Sequence, residues 1–152
     1  MKNKMLLAGL ALALGAGISF QASAQVKPET LVKQRQAVMT LHGKYIGPIG
    51  AMVQGKMPYD AAVVARNAAY LEVLSKMPWD GFHASTADVK SDTLPEAFKD
   101  TDKFQKASEA LETAAAKLSA AAKSGDQGAV KTAFGDVGKT CKGCHDDFRP
   151  KK

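Results

Sequence analysis

Hydrophobic residues recur every three or four positions along four stretches of the chain, which is the spacing of one face of an α-helix. No run of alternating apolar and polar residues competes with these stretches, so the pattern predicts an all-α fold. Four helices joined by short turns and one longer loop are typical of an antiparallel up-and-down four-helix bundle. The predicted helices span Pro28 to Gln54, Asp60 to Lys76, Thr101 to Lys123 and Asp126 to Arg149.

Capping and helix-breaking residues mark the predicted helix ends. Pro28 suits the first turn of the first helix, and Asp60 suits the N-cap of the second. Gly125 is expected to end the third helix, and Gly47-Pro48 is expected to kink the first. The connection from Pro78 to about Asp100 is longer than a compact bundle requires, and such loops often carry function.

The first 24 residues have the features of a cleaved export signal. Lys2 and Lys4 give a basic start, Met5 to Phe20 is apolar, and Ala22-Ser23-Ala24 supplies small residues for cleavage. This apolar run of roughly 16 residues is shorter than the ~20 that a membrane-spanning helix needs. We therefore expect residues 25–152 to form one mature domain, exported to a bacterial periplasm and not inserted in a membrane.

The charge balance argues against a nucleic-acid partner. The chain has 21 Lys and Arg residues against 15 Asp and Glu, and Lys2 and Lys4 belong to the segment predicted to be removed. Acidic residues are interspersed with the lysines, and aromatic residues make up only 7% of the chain. Nucleic-acid binders instead cluster basic residues with aromatic ones. The remaining basic excess is mild.

Cys141-Lys142-Gly143-Cys144-His145 contains both cysteines of the chain and matches the motif that attaches c-type haem. On a helix, positions i, i+3 and i+4 share one face. The two thiols can therefore bond the two vinyl groups of one haem while the imidazole beside them reaches its iron. Both cysteines also lie on the apolar face of the fourth predicted helix, so they are expected to point inward. The motif predicts one covalently attached haem c.

Other chemistries also use a Cys-x-x-Cys pair: a structural disulfide, a thiol–disulfide redox site, or part of a zinc site. A redox pair normally follows a strand at a helix N-terminus, whereas this pair lies deep in the last predicted helix. A zinc site would need a further ligand from His42 or His83. Covalent haem is the preferred interpretation, because the chain is predicted to be exported and a histidine follows the pair directly.

The predicted mature chain resembles cytochrome c′, the class II cytochrome c family, over essentially its whole length. The C-terminal motif alone indicates haem c, but its place in the last helix and the Arg35-Gln36 pair in the first make the resemblance specific. Cytochrome c′ is itself a standard example of an up-and-down bundle, so the resemblance and the helix pattern do not support that fold independently. The matching segments are Arg35 to Met39, Lys56 to Ala62, Pro78-Trp79 with Phe82, Ala133 to Lys139 and Cys141 to Arg149.

The resemblance implies roles for the residues around the motif. His145 would be the proximal iron ligand, and Cys141 and Cys144 would be the thioether attachments. Arg35 and Gln36 match positions that contact the haem propionates, and the alternative is that both are ordinary exposed helix residues.

Three further residues belong to the same expected site. Arg149 matches a basic residue on the proximal face, and a cation there is also favourable simply as a helix C-terminal charge. Trp79 and Phe82 are expected to pack at the haem edge, although aromatic residues in such loops are as often plain core.

Met39 matches the position that faces the distal side of the iron, and it decides the mechanism. Its thioether could be a sixth iron ligand, which gives a low-spin electron carrier, or an apolar block that leaves the iron five-coordinate. The Arg-Gln-x-x-Met context is more similar to high-spin members, so five-coordinate iron is favoured. His42, three residues on, could also reach the haem, but a satisfied or partly exposed histidine is more usual.

Two functions follow from the resemblance. A five-coordinate haem in an apolar distal pocket would bind nitric oxide and carbon monoxide and exclude dioxygen, which needs a hydrogen-bond donor. The protein could also carry one electron, docking on an acidic redox partner through surface lysines. No acid–base or nucleophile constellation indicates an enzyme. Members of the family commonly pair through their first two helices, so a homodimer is expected.

Overall fold

Four long helices form the fold, and the prediction of an all-α four-helix bundle is confirmed. The computed structural model describes residues 26–151, so the predicted signal segment and its boundary at Gln25 lie outside the described residues. No strand occurs in this part of the chain, and no helix within it is long and apolar enough to cross a membrane. The long helices are α1 (Pro28–Val53), α2 (Ala61–Leu74), α4 (Thr101–Ser124) and α5 (Gln127–Phe148).

The connection between α2 and α4 contains short helical turns. Two 3-10 helices span Trp79–Phe82 and Ala84–Thr86, and α3 (Glu96–Lys99) is a single α-helical turn. The long predicted loop therefore exists, and it is folded over the end of the bundle instead of being extended. Its first turn packs on α1, and α3 packs on α4 and α5.

The helix ends carry the capping and helix-breaking residues that the sequence predicts. Pro28 lies in the first turn of α1, where a missing amide hydrogen costs nothing. Asp60 accepts hydrogen bonds from the backbone amides of Ala62 and Val63 at 2.9 and 3.0 Å, which confirms it as the N-cap of α2. Gly125 ends α4 with φ of 76°, a left-handed conformation that glycine adopts without strain.

α1 continues through Pro48 as one helix. A proline inside a helix cannot donate to the carbonyl one turn earlier, and its ring crowds that carbonyl. The kink expected at Gly47-Pro48 stays a prediction.

The core is formed where the four long helices face one another. Each long helix contacts the next one along the chain, and α5 also contacts α1, so the bundle closes. Burial of these aliphatic side chains is the main favourable term in folding. The largest fully buried aliphatic residues are Ile49, Val64, Leu71, Leu118 and Val130.

α1 and α5 approach closely at Gly50. A Cβ atom added at this glycine would lie 2.8 Å from Cζ of Phe134, which is closer than real Cβ contacts. The absence of a side chain at Gly50 therefore lets the Phe134 ring pack directly against α1. Gly50 and Phe134 therefore lie at the same height in the bundle.

We predict that Gly50→Ala lowers the free energy of unfolding by about 1 kcal/mol. Alanine gains helix propensity of about 1 kcal/mol over glycine, but overpacking at such a contact typically costs about 1–3 kcal/mol. Guanidinium unfolding of the purified protein measures the change. Gly43→Ala is the matched control in the same helix, since an added Cβ there meets nothing within 4 Å. It should raise stability, and an equal rise at Gly50 would show that Phe134 moves freely.

Candidate functional site

The cysteine and histidine side chains of the motif lie in the last turns of α5. Cys141 and Cys144 are half-buried, and His145 is exposed. Cys141 packs against the hydrophobic core, as predicted for an inward-facing cysteine. An ion pair between Lys142 and Asp146, one turn apart, lies on the exposed side of this segment. The helix thus presents two thiols and one imidazole at one end of the bundle.

The pKa shifts of the two cysteines argue against a reactive thiol, and that of His145 favours metal binding. Burial raises the pKa of the Cys141 thiol. Burial also raises the pKa of Cys144, to about 11, with the negative charges of Cys141 and Asp147 adding to the effect. Redox-active cysteines instead have a lowered pKa that exposes the thiolate. Partial desolvation lowers the pKa of the exposed His145, and the positive charge of Arg149 adds to this effect. Both favour the neutral imidazole that binds metals.

A zinc site does not form around the pair in residues 26–151. No three Cys, His, Asp or Glu side chains come together there in an arrangement that could hold a metal ion. His83 is exposed on the loop, where its Nδ1 lies 2.8 Å from the Ser85 hydroxyl, and His42 lies on α1. Neither histidine joins the cysteines as a zinc site requires.

Arg35 is the most strongly buried charged residue that the sequence singled out. Its side chain is 3% exposed, so the alternative that it is an ordinary exposed helix residue is wrong. Gln36 is exposed, as that alternative expects. Within the described part of the chain, no carboxylate lies at ion-pair distance from the Arg35 guanidinium. Burial lowers its pKa, which reports the cost of holding this cation away from water.

The Arg35 guanidinium instead gathers the loop that follows α2. It donates to the Gly81 carbonyl and to the hydroxyls of Thr86, Ser91 and Thr93, the last three at 2.9, 3.0 and 3.2 Å. Gly81 must lack a side chain, because a Cβ there would lie 2.7 Å from Cβ of Arg35. All of these acceptors are neutral, so they solvate the cation without neutralising its charge.

An aromatic cluster lies beside Arg35 and next to the motif. The Phe82 ring centroid is 4.5 Å from the Arg35 guanidinium carbon and 4.7 Å from the Phe104 centroid. Phe104 in turn contacts Phe148 at 5.2 Å, and Phe148 follows Cys144 by one turn of α5. Trp79 and Phe82, predicted at the haem edge, therefore belong to a cluster that reaches the cysteine-bearing helix.

Trp79 closes this cluster on the side of α4. Its ring lies 5.9 Å from that of Phe104, and its Nε1 donates to Oε1 of Glu112 at 2.8 Å. A cavity of about 310 Å³ opens among these rings. It is lined by Trp79, Phe82, Ala84, Ala97, Phe98, Thr101, Phe104, Gln105 and Ser108.

Arg149 ties the end of α5 to the same loop. It forms an ion pair with Asp92 at 3.2 Å, and the neighbouring Phe148 carbonyl accepts from the Leu94 amide at 2.9 Å. Lys103 of α4 pairs with Asp147 at 2.8 Å. The loop, α4 and the C-terminal turn of α5 are therefore held together around the motif.

Met39 and His42 lie on the inward face of α1, within two turns of Arg35. Both are half-buried. Nδ1 of His42 lies 3.1 Å from the Val38 carbonyl, and its Nε2 is enclosed and has no hydrogen-bond partner in the described part of the chain. Burial lowers the pKa of His42, partly offset by the bond to Val38. The predicted distal residue Met39 thus has a neutral polar neighbour one turn further along the helix.

Several residues of this site were not predicted from the sequence. Thr86, Ser91 and Thr93 carry no periodic signal, because they lie in irregular backbone and act only through Arg35. A signal did exist for Phe104 and Phe148, since Phe148 follows Cys144 at i+4 on the same face. A separate groove of about 430 Å³ runs along α4 and α5, and none of the predicted site residues lines it.

Comparisons with known proteins match almost the whole of the described chain to one family. The family model described as Cytochrome C′ matches residues 30–149. A curated cytochrome c′ of Alcaligenes xylosoxydans xylosoxydans is 42% identical over 126 residues, covering 83% of this chain and 98% of the relative.

Two similar solved structures contain gases. One is a nitric oxide complex of a variant of cytochrome c prime from Alcaligenes xylosoxidans, 42% identical with a TM-score of 0.78, covering 84% of this chain and 98% of that one. The other is a carbon monoxide-bound variant of the same protein, 41% identical with a TM-score of 0.78 and coverage of 83% and 98%.

We predict that Arg35→Lys loosens the loop that Arg35 gathers. A lysine ammonium lacks the planar fork of donors and cannot reach the same set of oxygens. Backbone amides at Gly81, Thr86 and Val89 should exchange with deuterium roughly tenfold faster or more, as expected for a loss of about 1.4 kcal/mol in local stability. Arg66→Lys, on the exposed face of α2, is the control. Equal exchange in the two variants would contradict the anchoring role of Arg35.

Proposed function

The chain belongs to the cytochrome c′ family, whose cofactor is haem c, and we propose that it binds one haem covalently and takes nitric oxide and carbon monoxide at the iron. Cys141 and Cys144 would hold the vinyl-derived carbons as thioethers, and His145 would ligate the iron. Bound haem would supply an iron with one axial position for small ligands. The observation that carries the proposal is the placement of both thiols and the imidazole on one turn of α5.

Arg35 supports a haem at this end of the bundle. A buried cation surrounded by neutral oxygens is costly, and an anionic group brought close to it lowers that cost. Haem carries two propionate carboxylates. These are the anionic partners that the Arg35 guanidinium lacks among the described residues. Arg35 would bind a propionate, with Gln36 beside it at the exposed edge of α1.

Apolar side chains would shape the open side of the iron. Met39 lies on the inward face of α1, and Trp79 and Phe82 belong to the adjoining aromatic cluster. Nitric oxide and carbon monoxide are small and nearly neutral, so they need no strong hydrogen-bond donor. We therefore propose five-coordinate, high-spin iron in the reduced protein, with Met39 as a steric block and not as a ligand.

The protein would act in the periplasm as a ligand-binding haem protein and not as an enzyme. One-electron transfer at the same iron is compatible with this function. Lys142 and Lys151 are exposed near the motif, and transient docking on an acidic redox partner would use such charges.

The visible spectrum of the reduced holoprotein, before and after carbon monoxide and nitric oxide, tests the proposal. We expect a broad high-spin spectrum that changes on adding either gas. Met39→Ala should speed carbon monoxide binding roughly tenfold, the effect of lowering a barrier by about 1.4 kcal/mol. Met57→Ala is the control, because Met57 is an exposed methionine with 46% of its surface accessible.

Other outcomes separate the alternatives. Sharp, split low-spin bands that disappear in Met39→Ala would identify Met39 as a sixth ligand and make electron transfer the main function. Unchanged binding rates in Met39→Ala would contradict its role as a steric block. A wild-type protein matured in the periplasm without haem absorption would contradict the proposal as a whole.

We also propose that two copies pair through α1 and α2. Tyr70, Val73 and Met77 form an apolar stripe along the outer side of α2 and the turn that follows it, with Val73 62% exposed. We predict a dimer in sedimentation at micromolar concentration, and a monomer for Val73→Glu, because a buried unpaired carboxylate would oppose pairing. Met57→Glu, outside the stripe, should leave the dimer intact. A monomeric wild-type protein would contradict the proposal.

A further inference from the structure

His42 carries a polar atom that the proposed function does not use. Its Nε2 is enclosed in the structure and has no hydrogen-bond partner within the described residues. A buried acceptor without a donor is destabilising, typically by about 1–3 kcal/mol. Such groups are rare in folded proteins, and each one calls for a functional or structural explanation.

The hydrogen bond at the other ring nitrogen sets the chemical form of His42. Nδ1 lies 3.1 Å from the Val38 carbonyl oxygen, which can only accept. Nδ1 must therefore carry the proton, so in the neutral ring Nε2 presents a bare lone pair. The enclosed position of the ring favours this neutral form, since burial disfavours the imidazolium ion.

The bundle register places this lone pair near the level of the expected iron ligand. α1 and α5 run antiparallel, and Gly50 contacts Phe134. Met39 lies 11 residues before Gly50 and His145 lies 11 residues after Phe134. At 1.5 Å per residue, both are about 16 Å from that contact, so Met39 and His145 lie at the same height.

The His42 ring points toward that height. Side chains on a helix lean toward its N-terminus, and the bond from Nδ1 to the Val38 carbonyl holds the ring over the turn that carries Val38 and Met39. His42 also shares the inward face of α1 with Arg35 and Met39. The unpartnered nitrogen is enclosed, and the ring that carries it is held over the turn that contains Met39.

We propose that the Nε2 lone pair of His42 faces the ligand on the Met39 side and selects against dioxygen. This inference rests on the proposed gas-binding function. Dioxygen gains negative charge on its outer atom when iron binds it, so it requires a donor and is repelled by a lone pair. Nitric oxide and carbon monoxide gain much less charge and are affected less. His42 is therefore a specificity residue that acts by opposing the wrong ligand.

The infrared stretch of carbon monoxide bound to the reduced holoprotein measures this directly. Negative potential near the outer oxygen raises the stretching frequency, and a hydrogen-bond donor lowers it. Replacing the lone pair in His42→Leu should shift the band to lower frequency. His42→Met should shift the band in the same direction. Methionine is unbranched, so it serves as a second apolar replacement in case leucine disturbs the packing. His83→Leu on the exposed loop should leave the band unchanged.

A second measurement distinguishes electrostatics from packing. Because carbon monoxide cannot donate to His42, the acceptor stays unpaired in the complex. In at least one of the two apolar variants, the midpoint of guanidinium unfolding of the carbon monoxide complex should therefore lie at a higher denaturant concentration than in the wild type. A lower midpoint in both variants would show that Nε2 is satisfied in the holoprotein, and it would overturn the proposal.

Four other results would also overturn it. An unchanged band in both apolar variants would show that His42 does not face the ligand. A band that moves to higher frequency would mean that His42 donates. Low-spin bands lost in His42→Leu but kept in Met39→Ala would make His42 an iron ligand. Failure of the wild-type holoprotein to bind carbon monoxide would contradict the proposed function itself, and this inference with it.

Discussion

A buried guanidinium organises one whole end of this bundle. The Arg35 side chain extends from the inward side of α1, where apolar side chains would ordinarily form the core. It therefore places a positive charge inside the bundle. The chain solvates the charge with the Gly81 carbonyl and with hydroxyls of Thr86, Ser91 and Thr93. A long connection is therefore necessary, because a short turn between α2 and α4 could not return so many oxygens to one guanidinium.

The two ends of the molecule consequently follow different physical rules. Around Ile49, Val64 and Leu118 the helices meet through fully buried aliphatic side chains, and Gly50 lets the Phe134 ring press against α1. Such packing is stable without any further group. The end with Arg35 is held by polar bonds to irregular backbone and by an aromatic cluster.

The sequence was informative where signals are local. Helix periodicity, the Asp60 cap and the Gly125 stop each depend on residues a few positions apart, so the four helices were predicted to within a few residues. The haem motif spans five residues of one helix and was equally readable. The distal position of Met39 came from the family resemblance and not from helix periodicity.

The arrangement around Arg35 was not predictable in the same way. Its partners lie 46 to 58 residues away, in backbone without a regular period, so no local pattern connects them to α1. The burial of Arg35 also contradicts the ordinary rule that arginines stay at the surface. Only the tertiary fold shows that this residue has neutral partners and no carboxylate within the described chain.

The residues that break ordinary packing rules are gathered within two turns of α1. Among residues 26–151, Arg35 is a buried cation without a carboxylate partner, and His42 holds a buried nitrogen without a donor. Met39 lies between them, on the same face. Packed interiors tolerate few buried charges and few unpaired polar atoms, and one of each within two turns of α1 indicates that part of the core is supplied by something other than polypeptide. Haem c, the cofactor of this family, has an anionic edge that suits Arg35 and an apolar face that suits Met39. Neither the anionic edge nor the apolar face of haem can donate a hydrogen bond to Nε2 of His42. For this reason we assign the lone pair of His42 a role toward the gaseous ligand.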